Sequence, residues 1–379
     1  MNPRASATAG PGRTPSAARG ARNSDAERGA LAHGDPLAES VRFEAAAFSP
    51  GNDWARVRVD GPDAADYLHR RLTRDLRNLG ESQGLCALEL AGDGRLEIRW
   101  LLYRLEGGFD AIIEADQAAP AAQALARFVL MDDVTVAGPR ANEVAFAVIG
   151  PRAAEALRGV GVIIPAATGP SAARWSAAAG GALAGRPCRI YADGRWPEPY
   201  FHLFLPAEAA EPARATLAES CRAVGGGLVG ADALEVHRIQ AGVPRLGVDL
   251  TAETIPLEAA LEPAIDFEKG CFPGQEVLAR IRNLAHPARQ LVRLVWPEER
   301  TVSPGEGLIA AEAAEDGRVG RVTSAATFPG LGRTVGLGYL DWRWRECRRV
   351  GLEREAAAQA DVERLAHSID ASATRPRWA

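Results

Sequence analysis

The sequence predicts an α+β fold: two related ferredoxin-like α+β units followed by a small C-terminal β-barrel. Three observations predict it. A strand–Gly-Pro–helix pattern occurs twice, as VRVDGPDAADYL (57–68) and FAVIGPRAAEAL (146–157). A strand–helix pattern also recurs, as FDAIIEADQAAPAAQAL (109–125) and FHLFLPAEAAEPARATL (201–217), so the two offsets are 89 and 92 residues. Matching offsets are the signature of a repeated structural unit. Beyond residue 289, short β-prone runs with glycines at the bends fit a small barrel.

Residues 1–40 are expected to be a disordered tail. Up to residue 35 they are rich in Ala, Gly, Ser, Pro and Arg, without apolar periodicity. They lack the apolar core of about 7–15 residues that marks a secretory signal. An Arg- and Ser-rich start resembles a transit peptide, against which Asp25, Glu27 and Asp35 count. A bacterial cytoplasm is the expected location, with the mitochondrial matrix as the alternative if the tail is a transit peptide.

The first unit is placed at 41–140. Its Pro62, like Pro151 in the repeat, suits the first turn of a helix, where the missing N–H costs nothing. GLCALELAG (84–92) and RLEIRWLLYRL (95–105) read as strands of a hairpin turning at Gly92-Asp93-Gly94. Strand–helix–strand–strand–helix–strand order is that of a split βαβ unit. The second unit is placed at 141–288. It includes a short helix at ADALEVHRIQA (231–241) and a turn-rich stretch at 242–261, long enough to suggest a functional role. The barrel is placed at 289–345, starting with RQLVRLVWP (289–297) and ending near Trp342. Residues 346–379 are expected to be a helical or loose tail, with GLEREAAAQADVERLAHS (351–368) as a polar helix.

Composition narrows the function. The 379 residues are 47% apolar and 25% charged, with a net charge of −5. That balance argues against direct nucleic-acid or membrane-surface binding, and no apolar run approaches the ~20 residues of a membrane helix. Five cysteines (Cys86, Cys188, Cys221, Cys271, Cys347) are scattered, with no CxxC. Neither a disulfide framework nor a metal site is expected.

The densest chemistry lies in FEKGCFPGQE (267–276). Lys269 is the only lysine in the chain; the other 43 of the 44 basic residues are arginine. An ammonium has a tunable pKa, which a guanidinium lacks. It stands two residues from Cys271, and a nearby cation favours the thiolate. Pro273 suits a helix start, and the positive end of that helix would act on the thiol in the same sense. Glu276 would sit in the first turn or pair with Lys269. The alternative is that Cys271 is a small buried hydrophobe. No spacing supports a Cys–His pair with His237 or His286. Arg280 and Arg282 have the chemistry to bind a carboxylate such as a glutamyl tail, or are simply solvated.

KGCFPGQE resembles the signature of the YgfZ-type folate-binding proteins, relatives of the glycine-cleavage aminomethyltransferases and of the mitochondrial [4Fe–4S] assembly factor. The resemblance covers roughly 43–345 and includes VDGPDAADYLHRRLTRDL (59–76), HRIQAGVPRLGVD (237–249), TIPLEAAL (254–261) and GRVTSAATFPGLGRTVGLGYL (320–340). It implies three domains around a central channel that holds tetrahydrofolate or a one-carbon derivative, with 237–261 and 267–282 facing it. Cys271 and Lys269 are then the expected reactive pair. Arg238, Gln240, Gln275, Glu276 and Arg280 are the expected folate contacts. The aminomethyltransferases carry two aspartates where this chain has Ile98 and Arg99, and a pterin-binding glutamate where it has Gln240. Three readings therefore remain, the third being a folate-binding module without chemistry. The first is a folate-binding accessory factor in iron–sulfur protein assembly or repair, which is not clearly an enzyme and acts on tRNA modification only indirectly. Its partners would be iron–sulfur client or assembly proteins, with a transient shared iron–sulfur cluster as a second cofactor. One cysteine supplies one ligand where a cluster needs about four, hence the sharing. The second is an aminomethyltransferase-like one-carbon transferase.

Overall fold

The computed structural model describes residues 39–51, 53–164, 177–310, 317–328 and 332–365. The expected tail at 1–40 lies outside these residues, apart from Glu39 and Ser40. Chain order begins with β1 (Ala47–Pro50), then β2 (Trp54–Asp60), α1 (Ala64–Arg71), β3 (Gly84–Leu90), β4 (Leu96–Leu105), β5 (Gly108–Glu114), α2 (Ala115–Ala126) and β6 (Thr135–Ala137). Strands β3-β4-β5-β2-β6 form one antiparallel sheet. The second unit runs β7 (Glu143–Ile149), α3 (Ala153–Gly159), β8 (Ala177–Leu183), β9 (Arg186–Ala192), β10 (Tyr200–Pro206), α4 (Ala210–Ala223) and β11 (Gly227–Leu228).

The repeat is visible in the backbone. Gly61 and Gly150 hold φ of +129° and +124° at the same strand-to-helix bend. A Cβ at Gly61 would stand 2.0 Å from the Asp133 carbonyl oxygen, and one at Gly150 2.5 Å from that of Ala45. Only glycine fits such positions. Pro62 and Pro151 lie in the turn just before α1 and α3 rather than within their first helical residues.

One strand departs from the expected boundaries. The second sheet has the order β11-β1-β7-β10-β9-β8, so β1, placed by sequence in the first unit, sits between β7 and β11. Its Phe48 is fully buried among residues of the second unit, including Phe146 and Val148. That burial holds the strand there.

The two sheets meet through a polar layer. The Arg56 guanidinium bonds both Asp110 of its own sheet and Glu143 of the other. The Tyr191 hydroxyl donates to Asp110, and the Tyr103 hydroxyl to the Ala192 carbonyl at 2.6 Å.

Helix α5 (Ala231–Ala241) ends at Gly242, whose φ is +70°, as a left-handed cap. After an irregular segment and α6 (Gln275–Leu284) come β12 (Arg289–Trp296), β13 (Gly307–Ile309), β14 (Arg318–Phe328), β15 (Arg333–Asp341), β16 (Arg349–Leu352) and β17 (Glu355–Arg364). They close as a barrel in the order β12-β15-β14-β13-β16-β17. The polar helix expected at 351–368 is therefore corrected: its described part forms strands, and the barrel runs past 345. In β17, Ala358 and Ala360 are buried and Val362 is half-buried, a period of two that faces the barrel interior.

Candidate functional site

The FEKGCFPGQE segment is fastened to the first unit before it reaches its helix. Thr73 Oγ1 donates to the Ala264 carbonyl at 2.6 Å, and the Asp266 N–H donates to the Thr73 carbonyl at 2.7 Å. At Lys269 the chain locks onto α1. The Lys269 Nζ donates to the His69 carbonyl oxygen, and His69 Nε2 donates back to the Lys269 carbonyl at 3.1 Å. His69 Nδ1 stands 3.0 Å from Asp75 Oδ1. Both ring nitrogens thus face oxygen atoms, which fixes the ring between α1 and the Lys269 loop.

Lys269 is 8% exposed. Its Nζ lies 5.3 Å from the Phe272 ring centroid, and among the described residues no carboxylate stands within ion-pairing distance. Burial pushes the Lys269 ammonium down to about 8, while Asp75, Asp266 and, more weakly, Cys271 pull the other way. The sequence placed Lys269 as the cation that ionises Cys271. Its ammonium instead points to the His69 carbonyl, and Cys271 is exposed. The buried-thiol alternative for Cys271 is thereby removed.

The glycines of the motif have distinct reasons. Gly270 holds φ of +104° with open space around it. Gly274, the residue before α6, holds φ of +77°, and a Cβ there would stand 2.6 Å from the Ala91 carbonyl oxygen and 2.7 Å from Gly94. The helix start is pressed against the Gly92-Asp93-Gly94 turn of the first unit. Leu278 is buried beneath α6, while Glu276 and Arg280 are exposed and Gln275 is half-buried. Arg282 stands over the Phe267 ring and pairs with Glu262 at 3.3 Å.

Arg238 and Gln240 belong to a second group on α5, beside the barrel. All five N–H donors of Arg238 are engaged: Nε and Nη2 with Glu235, Nη1 with the Val243 carbonyl and Asp249, and Nη2 again with Ser324. It ties α5 to the 242–250 segment and to β14. The Gln240 side chain is half-buried and makes no hydrogen bond among the described residues, while its carbonyl accepts from Arg293. Lys269, Cys271, Gln275, Glu276 and Arg280 are thus together on one loop and helix. No hydrogen bond or ion pair links them to Arg238 and Gln240 among the described residues.

A third group was missed in the sequence. Between the two units and the 242–264 segment lies a narrow cavity lined by Cys86, Arg99, Arg195, Val243, Leu261 and Ala264, among others. Behind it is a buried network. Arg99 Nη2 bonds Glu114 at 2.7 Å, Arg195 bonds Asp193 at 2.6 Å, and His202 Nε2 bonds Asp193 at 3.1 Å. Burial alone would raise the Asp193 carboxyl, but Arg195 and His202 hold it well below the usual range. Burial likewise opposes the Glu114 carboxylate, and Arg99 and Arg195 overcome it. Burial pushes the Cys86 thiol up to about 11, so it is a neutral lining group. The free space is about 20 Å³, about one water's worth, so no pterin enters between these arginines. The sequence signal for this group was only half legible: Arg99 stood out as a departure, but nothing local marks Glu114, Asp193, Arg195 or His202 as neighbours. Among the described residues no group of three or more His, Cys, Asp or Glu is placed to hold a metal ion. No helix among them is long and apolar enough to cross a membrane.

Known proteins share this architecture. The chain is 28% identical over 306 residues to an aminomethyltransferase of Streptomyces avermitilis, covering 80% of each. It is 31% identical over 306 residues to an aminomethyltransferase of Rubrobacter xylanophilus, covering 80% of this chain and 77% of that one. It is 28% identical over 266 residues to the tRNA-modifying protein YgfZ of Edwardsiella ictaluri, covering 68% and 73%. The crystal structure of the glycine cleavage system aminomethyltransferase T from Bartonella henselae superposes with a TM-score of 0.72 at 24% identity, over 88% of this chain and 89% of that one. It shows the same fold. The family profile described as the GCVT N-terminal domain matches residues 38–269, more than half of the chain, and the chain belongs to that family.

Proposed function

We propose that this protein is a YgfZ-type, tetrahydrofolate-binding accessory factor in the assembly or repair of iron–sulfur proteins, with an indirect effect on tRNA modification. One observation carries the choice between relatives: Arg99. It occupies the position where the aminomethyltransferases are expected to have a carboxylate, and it is buried and paired with Glu114. A guanidinium in that place cannot accept a proton or stabilise a cationic amine. The exposed Cys271 of the KGC segment supports the same reading, as does the similarity to a tRNA-modifying protein YgfZ.

Folate, when bound, would supply a carrier for one-carbon units. Gln240 has a free amide for a pterin edge, and Arg280 is an exposed guanidinium suited to a glutamyl tail. Gln275 and Glu276 begin the helix beside the reactive loop. Arg238, with every donor engaged, acts by holding α5 in place. Cys271 is accessible to a client protein and is proposed as the reactive or cluster-contacting thiol.

Calorimetric titration with tetrahydrofolate tests the binding claim. Saturable binding to the wild type, weakened at least fivefold in Gln240→Ala, is expected; no binding to the wild type would refute it. The second reading, an aminomethyltransferase-like transferase, is favoured by the names of several relatives. Turnover of an aminomethyl-lipoyl carrier protein would establish it; none is expected.

A further inference from the structure

Lys269 is the only lysine among 44 basic residues, and its surroundings show what an ammonium does there that a guanidinium cannot. Helix α1 ends at Arg71. The N–H of Thr73, which would continue the helical ladder onto the His69 carbonyl, donates instead to the Leu88 carbonyl at 3.0 Å. The His69 carbonyl is thus one of the acceptors that a helix C-terminus leaves over, where a cation is favoured. Lys269 Nζ donates to it. The bond is returned, because His69 Nε2 stands 3.1 Å from the Lys269 carbonyl oxygen. The ring is held through Nδ1 by Asp75, whose carboxylate also accepts from the Arg77 N–H at 3.0 Å and from Asn78 at 2.7 Å. The same ammonium lies 5.3 Å from the centre of the Phe272 ring, which is buried. Lys269 and Phe272 therefore close a short loop on which Cys271 is exposed. A guanidinium has five N–H donors, and in this buried place it would leave some of them unpaired, at about 1–3 kcal/mol each.

We propose that Lys269 is a positioning residue: together with His69 and Asp75 it pegs the 269–272 loop to the end of α1 and so fixes where Cys271 stands, instead of ionising the thiol. Gly270 makes the peg necessary. Its φ of +104° and the open space around it leave the backbone beside Cys271 without steric restraint. The far end of the loop is held separately, by the burial of Phe272 and by Gly274 against the Ala91–Gly94 turn. Removing the peg frees the near end alone, so the thiol moves while the fold stays. The inference rests on the proposed use of Cys271 only for its consequence, since the motion of the loop can be measured whether or not the thiol serves a client.

The test uses the full chain carrying a nitroxide on Cys271, in a Cys347→Ser background because Cys347 is half-exposed. Lys269→Met and His69→Ala are each expected to shorten the rotational correlation time of the label at least twofold. The double variant should do no more than either single one, since both remove the same clamp. Lys269→Arg should not restore the wild-type spectrum. The pH profile of Cys271 alkylation should keep its midpoint in Lys269→Met. Wild-type label motion in folded Lys269→Met or His69→Ala would overturn the proposal, and so would a raised alkylation midpoint in Lys269→Met, the mark of a thiol-ionising ammonium. If neither variant folds, Asp75→Ala, at a half-buried position, loosens the ring by itself and is read in the same way, with unchanged motion again overturning the proposal. Full restoration of iron–sulfur enzyme activity by Cys271→Ala would refute the proposed function and leave these loop measurements standing.

Discussion

At the residue scale, Lys269 and the cysteines carry the sharpest expectations. Lys269 has its ammonium shifted by burial from 10.5 to about 8. Its folded-state pKa is depressed, so the folded protein releases this proton near pH 8 while the unfolded chain keeps it to about 10.5. Stability contributed by this group therefore rises as pH climbs from 8 towards 10.5. The difference in urea midpoint between wild type and Lys269→Met should change over that window and be flat below pH 7. Because it is the only lysine, amine labelling of its peptide should titrate with a midpoint near 8. The thiols divide by burial. Burial pushes Cys86 to about 11 and Cys188 and Cys221 to about 12, whereas Cys271 is exposed. Brief iodoacetamide treatment at neutral pH should alkylate Cys271 and leave those three intact by peptide mass spectrometry. Labelling of the buried three at the same rate would contradict the burial.

At the element scale, the docking of α6 onto the hairpin turn predicts a contrast between two glycines. Gly274→Ala forces a side chain into the Ala91–Gly94 turn at positive φ and should cost about 3 kcal/mol by chemical denaturation. Gly270→Ala keeps open space and should cost about 1 kcal/mol. The hairpin itself, the helix at 231–241 and the start of α6 were legible because each has strong local punctuation: Gly92-Asp93-Gly94, Gly242, and Pro273-Gly274. Strand β17 was not. Its Ala, Glu, Gln and Arg residues favour helix, and its inward face is marked only by Ala358, Ala360 and Val362, which give little hydrophobic contrast. Ala360→Glu places a charge on that inward face and should destabilise the barrel by about 3 kcal/mol. On a helical reading the same change would be harmless.

At the scale of the whole molecule, the repeat fixed the architecture, while its interlocking stayed hidden. Four residues of β1 carry no signal for a partner strand a hundred residues away, so its transfer to the second sheet is set by tertiary burial of Phe48. Charged residues such as Arg195 and Glu114 read as surface in one dimension, and only the facing of two sheets brings them into one buried network. The family likeness pointed to the KGC loop, and the fold leaves the Cys271 thiol exposed there, just before a helix start braced by the first unit. The most direct measurement is the activity of an iron–sulfur enzyme in a bacterial strain lacking its own YgfZ-type factor and supplied with this chain. Wild type is predicted to restore it and Cys271→Ala to leave it near the level of the empty vector, at equal protein abundance. Full restoration by Cys271→Ala would contradict the account.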